Sequence, residues 1–249
     1  MKKSTLPFLA LTFGLALTCG NRASAITGYI NTTFRPGYNF FSNLFNTTNN
    51  AINSVMTVSL MLPDAPIGTA VTKWNPLTQQ YLPYSIFNGS TWSDNFSLNP
   101  GEGAVLHTTS FFTNTFFGEL TVNPIIPSRP AGVYLLGPSG FFDPGGYGKF
   151  ENIIGRPALD GDSVTQFDPI AQIFRTKIMD SNWGGWVDEQ YNSTMEPQLL
   201  LGESAFFGLL GGSAPGLPAA PPLVPEPTTG ALLLLGGLVI RHFGRIRTR

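Results

Sequence analysis

Carboxylates and aromatic rings are the groups with which this chain could do chemistry. Glycoside cleavage uses two carboxyls held at a set separation. Glu102 and Glu203 are candidates, but each stands in a Gly-Glu turn at a matching place in two similar stretches. A residue that repeats with its turn is more simply a turn residue. Glu119 with Glu203, or Asp188 with Glu189, could pair, but nothing in the spacing selects them. Asp160, Asp162 and Asp168 in "DGDSVTQFD" make an oxygen-rich segment. Calcium takes about six to eight oxygens, and this spacing is not that of an EF-hand loop, so a hydrated surface turn is expected. Of the two histidines, His242 lies in a basic tail and His107 in the strand-like run "AVLHT". A single histidine without partners within reach builds neither a zinc site nor a nucleophile–base pair. G-x-S-x-G, H-E-x-x-H and the phosphate-binding loop are all absent from the sequence. No catalytic residue, metal or cofactor is assigned, and the chain reads as a non-enzyme.

The four tryptophans are the remaining candidates for contact chemistry. Trp74, Trp92, Trp183 and Trp186 lie in or near a hairpin and the loop after it. Loop aromatics can stack on the flat faces of sugars, but aromatic burial also dominates protein cores. Trp92, Trp183 and Trp186 are therefore candidate glycan contacts. Core burial is the favoured reading for the duplicated pair Trp92 and Trp186. Trp183, in "SNWGGW", is the best candidate for an exposed contact.

The elements that must hold these residues come in two sets. "GTAVTKWNPLTQQYLPYSIF" from Gly68 parallels "GDSVTQFDPIAQIFRTKIMD" from Gly161, 93 residues on. "RPGYNFFSN" from Arg35 parallels "RPAGVYLLG" from Arg129, and "LNPGEGAVL" from Leu98 parallels "LLLGESAFF" from Leu199. The order of blocks is kept, as in an internal repeat. Short alternating apolar runs between Gly, Pro, Asn and Asp predict an all-β protein. It would comprise two tandem duplicated β modules, 26–117 and 118–210, with one short helix in each. Within the first module the pattern predicts a strand pair, Tyr29–Phe34 with Tyr38–Asn43. A helix presenting Ala51, Ile52, Val55, Met56 and Leu60 should follow, capped by Asn49 or Asn50. Strands Ala70–Trp74 and Gln80–Phe87 should join across an Asn-Pro turn, and Ala104–His107 should close the module. Thr115–Leu120 is a further strand. In the second module Phe150, Ile153 and Ile154 keep the helical spacing.

Charge separates the body from its ends. The chain carries 14 Lys+Arg against 15 Asp+Glu, a net −1. Seven of those basic residues lie in the two ends, so residues 26–224 hold seven basic and fourteen acidic groups, a net −7. That balance argues against nucleic acid as a partner, because phosphate binding needs basic patches. Residues 1–25 read as a secretory signal peptide: Lys2 and Lys3, an apolar run from Leu6 to Leu17, and Ala23-Ser24-Ala25 as a small-x-small cleavage site. Cys19 is the only cysteine, so the mature chain would have no disulfide. Residues 211–223 form a Gly/Pro/Ala linker. Then come Val224-Pro225-Glu226-Pro227, the uncharged run Gly230–Ile240, and Arg241, Arg245, Arg247 and Arg249. The apolar run is shorter than the roughly 20 residues of a comfortable transmembrane helix. Its arginines would stay on the cytoplasmic side of an inner membrane.

In the order of its three parts, the segment 224–249 resembles the PEP-CTERM sorting signal of Gram-negative bacteria. The resemblance covers about a tenth of the chain and leaves the passenger unassigned. It implies export through the Sec machinery and a transient stop in the inner membrane. It further implies processing near Pro225-Glu226-Pro227 by the membrane enzyme exosortase. The passenger would then reach the cell surface or an extracellular polysaccharide matrix. The expected function is that of an exported surface or matrix protein, structural or adhesive. Two alternatives are a carbohydrate-binding module that uses the loop tryptophans and a glycoside hydrolase.

Overall fold

The computed structural model describes residues 26–46, 56–120, 124, 126–140 and 148–210. Along the chain run β1 (Ile26–Phe34), β2 (Gly37–Ser42), β3 (Met56–Thr57), α1 (Val58–Met61), β4 (Ala70–Asn75), β5 (Gln80–Tyr81), β6 (Ser85–Ile86), β7 (Ser97–Leu98), β8 (Gly103–Thr108) and β9 (Phe112–Leu120). They continue as β10 (Gly132–Leu136), α2 (Phe150–Ile154), β11 (Ser163–Asp168), β12 (Ile173–Asp180), a 3-10 turn (Ser181–Trp183), β13 (Gly185–Asp188) and β14 (Ala205–Leu209). The protein is all-β, and its described residues form antiparallel sheets with two short helices.

Two five-stranded sheets form the body. One runs β2-β8-β4-β5 with β6 also on β4, and the other runs β10-β14-β11-β12-β13. The strand succession is thus the same in both halves over four strands. Successive side chains on a strand face opposite ways, and on the central strands β8 and β14 both faces are buried. On β8, Val105 enters a cluster with Trp74, Val133, Leu135 and Phe206, whereas Ala104 and Leu106 join a second cluster with Phe34, Phe41 and Leu98. On β14, Phe206 belongs to the first of these and Phe207 to a third cluster with Phe150, Ile153 and Trp186. The inner faces of the two sheets therefore share one aromatic core, and each outer face has its own.

The shared core is dense in edge-on ring pairs, the arrangement that the ring quadrupole favours. Phe206 lies 5.3 Å from Trp74, 5.8 Å from Phe40 and 6.2 Å from Tyr81. Main-chain bonds also cross between the halves. Ser42 N–H donates to Gly202 O (2.9 Å) and Gly137 N–H to Gly101 O (3.1 Å).

Some local expectations need correction. β1 does not pair with β2. It pairs along its whole length with β9, from Ile26 opposite Leu120 to Phe34 opposite Phe112, and β2 pairs with β8. The Asn39 side chain bonds Arg35 N–H and Arg35 O, and Gly37 takes φ +96°, so the chain turns out of the ribbon before β2 begins. The run Gln80–Phe87 is broken into β5 and β6 around Pro83, which has no N–H for a ladder. The first helix is only Val58–Met61. Met56 and Thr57 stay extended because they pair with Leu98 and Ser97, and Leu60 faces solvent. Residues 49–55 of that expected helix lie outside the described residues. The second helix buries Phe150, Ile153 and Ile154 as expected and ends at Gly155 with φ +83°.

Candidate functional site

Two clefts occupy equivalent places in the two halves. Phe167, Pro169, Gly202, Glu203, Arg35 and Phe40 line a cleft of about 400 Å³. Trp74, Pro76, Gly101, Glu102, Arg129 and Leu135 line a second, of about 610 Å³. Each is walled by one sheet's Asx-Pro hairpin and Gly-Glu turn and by the other half's Arg-bearing entry segment. The hairpin tips are built alike. Asn75 Oδ1 accepts from Leu77 N–H (2.9 Å), and Asp168 Oδ1 accepts from Ile170 N–H (2.9 Å). These Asx-turns bend the chain through Pro76 and Pro169. Each hairpin then holds a glutamine at φ +54°, Gln79 and Gln172.

Those glutamines reach across to the opposite half. Gln172 Oε1 accepts from Tyr38 N–H (2.8 Å) and its Nε2 donates to Tyr38 O (3.0 Å). Gln79 makes the reciprocal pair with Val133, accepting from its N–H (3.3 Å) and donating to its O (3.2 Å). A left-handed conformation is uncommon for a residue with a side chain. Here it aims the amide at the N–H and C=O of a residue in the other half, Tyr38 or Val133.

The two Gly-Glu turns share geometry but not charge. Glu102 Oε2 accepts from Asn99 N–H, and Glu203 Oε2 accepts from Leu200 N–H, both at 2.9 Å. Glu102 Oε1 pairs with Lys73 Nζ at 2.8 Å, and Lys73 also donates to Ser97 O (3.1 Å). In the other half Gln166 stands where Lys73 does, opposite Ala205 on β14 as Lys73 is opposite Ala104 on β8. Gln166 Nε2 donates to Gln198 O (3.0 Å), repeating the carbonyl bond of Lys73 without its charge. Among the described residues Glu203 has no basic partner. The surface that it exposes is the wall of a concave cleft. Although Glu203 is exposed at the cleft, the walls around it withdraw water from its carboxyl and raise it above the usual glutamate range, against the smaller pull of the Leu200 N–H.

The sequence candidates are distributed as follows. Glu102 and Glu203 occupy separate clefts and form no carboxylate pair. Asp162 is not on a hydrated surface turn: it is fully buried, bonded to Arg156 (2.6 Å) and to Leu159 and Leu210 N–H. Asp160 accepts from Ser181 N–H and Asp168 caps its hairpin, so the three aspartates point to three different tasks. Among the described residues no group of His, Cys, Asp and Glu could hold a metal ion. His107 is half-buried on β8, its ring 4.9 Å from that of Tyr38.

No family model matches the chain, and no curated protein or solved structure does so either. The site must therefore be judged on its own geometry. Trp92 packs on Phe87 (5.3 Å) and Trp186 on Phe150 (5.6 Å), each 8% exposed inside its half's outer core. Neither offers a ring face to a ligand. Trp183 is 59% exposed on the 3-10 turn, between the Asp180 cap and Gly184 at φ +72°. Ala23, Ala25, Val224, Pro225, Glu226, Pro227, Arg241, Arg245 and Arg247 lie outside the described residues. Among the described residues no helix is long and apolar enough to cross a membrane. Single-sequence reading missed the clefts and the substitution of Gln166 for Lys73. The signal was present, since these residues stand at the same place in the two parallel stretches.

Proposed function

We propose that this is an exported cell-surface or extracellular-matrix protein, structural or adhesive rather than catalytic. Its delivery would use the signal peptide at 1–25 and a PEP-CTERM-type tail at 224–249, processed by an exosortase. The observation that carries this reading is the order Pro-Glu-Pro, short apolar run, arginine cluster at the end of a chain that opens with an export signal. A body with net −7 between residues 26 and 224 suits an extracellular setting.

The passenger is read as two tandem copies of one β module. Supporting this are the equal strand successions, the reciprocal Gln172–Tyr38 and Gln79–Val133 bonds, and matching left-handed glycines. Gly68 and Gly161 have φ of +84° and +85°, and Gly101 and Gly202 have +80° and +83°.

The testing experiment is the intact mass and location of the protein from its native host. Expected is a chain from Ile26 to near Pro225–Pro227, found outside the cell. A chain still ending at Arg249 and held in the inner membrane would overturn the sorting reading.

A second reading, glycan binding, is favoured by one observation, the open setting of Trp183. A glycan-array signal lost in Trp183→Ala with unchanged melting would support it. An array silent toward the host's own polysaccharides would remove it.

A further inference from the structure

We propose that the Glu203 cleft binds a ligand through a primary ammonium group, at the position that Lys73 fills beside Glu102 in the other half. The protein thus contains its own image of the bound state. Lys73 Nζ reaches one carboxylate oxygen (2.8 Å) and one backbone carbonyl (3.1 Å) and stands 5.8 Å from the Phe96 ring centroid. Around Glu203 the same carboxylate geometry is kept, down to the 2.9 Å bond from the backbone N–H three residues earlier. Here Gln166 takes the equivalent carbonyl of Gln198 without carrying a charge, so the Glu203 carboxylate is left for a ligand's cation in the cleft that both residues line. A carboxylate in a concave, partly apolar wall gains more from a cation than one in open water does, because the local dielectric is lower. Charge-assisted hydrogen bonds are also the stronger kind.

The remaining wall sets the class of ligand. Arg35 lines the same cleft, with its guanidinium carbon 5.6 Å from the Phe111 ring centroid. Among the described residues it is the only other charged one there, and it donates hydrogen bonds without accepting them. Asn31 and Thr32 from β1 add neutral polar groups, and Phe40 and Phe167 add ring surface. A ligand with one amine, several oxygen acceptors and an apolar ring face fits this wall. An amino sugar with a free amine has those features. This inference does not depend on the export reading.

The test is titration of the full chain, followed by calorimetry and by amide chemical shifts, with glucosamine, glucose, N-acetylglucosamine and butylamine. Glucosamine should bind, and glucose and N-acetylglucosamine should bind at least tenfold more weakly. Butylamine as strong as glucosamine would assign recognition to the ammonium alone, and a weaker butylamine would add the sugar ring. Gln166→Lys should fill the site from within, abolishing binding without lowering the melting temperature. Glu203→Gln should weaken binding at least tenfold. Lys73→Gln should open the sister cleft and raise the stoichiometry from one to two. Binding that is unchanged in Gln166→Lys would overturn the proposal. So would failure of both amines to saturate at a Kd on the order of 1 mM.

Discussion

Glu203 and Asp162 show how a carboxylate takes opposite roles from its surroundings. Burial raises the Glu203 carboxyl, so the folded state disfavours its charge. A raised acid contributes most below its ordinary value of 4.5 and loses that contribution as pH rises through the raised one. Because Glu203 is exposed and screened by water, Glu203→Gln should melt only slightly higher than the parent at neutral pH, and the gap should close as pH falls below that ordinary value. A thermal-melt series over pH checks it. Asp160, Asp168 and Asp188 work the other way, lowered chiefly by backbone N–H bonds from Ser181, Ala171 and Asn192. Their contribution is complete above the ordinary aspartate value and is lost as pH falls through the lowered ones. Asp162 is the structural carboxylate. Asp162→Asn would remove the charge that pairs with Arg156 and turn its NH2 toward the N–H of either Leu159 or Leu210. A loss of about 3 kcal/mol is expected in denaturant titration, as for a broken buried ion pair.

At the scale of elements, the hairpins after β4 and β11 are clamps between the halves. Each presents a left-handed glutamine whose amide completes the other half's backbone. Gln172→Ala removes an acceptor and a donor from Tyr38 and should cost about 0.5–1.5 kcal/mol, since water can reach the freed groups. Gln79→Ala should cost less, because the Gln79 bonds are longer and Val133 O also accepts from Trp74 Nε1 (2.8 Å). Equal losses would contradict this ranking. The joints themselves leave no room. A Cβ on Gly137 would stand 2.2 Å from both Glu203 O and Ser42 Oγ. Because Glu203 O is backbone, it cannot step aside like the end of a flexible side chain. Gly137→Ala should therefore lower the melting temperature by several degrees, which circular dichroism would register.

Across the whole molecule, the shared aromatic core makes the two halves one cooperative body. Phe206 of β14 touches Trp74, Phe40, Tyr81 and Phe174, which come from both sheets. Phe206→Ala should cost about 3–5 kcal/mol. The unfolding transition should stay single, since neither half can keep its inner face covered alone. Calorimetry of the parent should show one peak with equal calorimetric and van't Hoff enthalpies. Two resolved peaks would mean that the halves fold separately. The central core needs no disulfide, in keeping with a body in which residues 26–210 contain no cysteine.

The sequence by itself determined the all-β class and the strands around Ala70–Trp74 and Ala104–His107. It also determined the Asx-Pro hairpins and the burial of Phe150, Ile153 and Ile154. Each rests on local chemistry: period-two alternation, a side-chain cap followed by proline, helical spacing of apolar residues. Only the tertiary structure decided that β1 joins β9 rather than β2, because strand pairing is set by distant partners and by the turn at Gly37. The repeat already favoured burial of Trp92 and Trp186 and exposure of Trp183, and the structure places them so. The clefts were illegible because each takes walls from both halves. That Lys73 neutralises Glu102, whereas Gln166 leaves Glu203 open, became meaningful only when register placed those side chains beside one another.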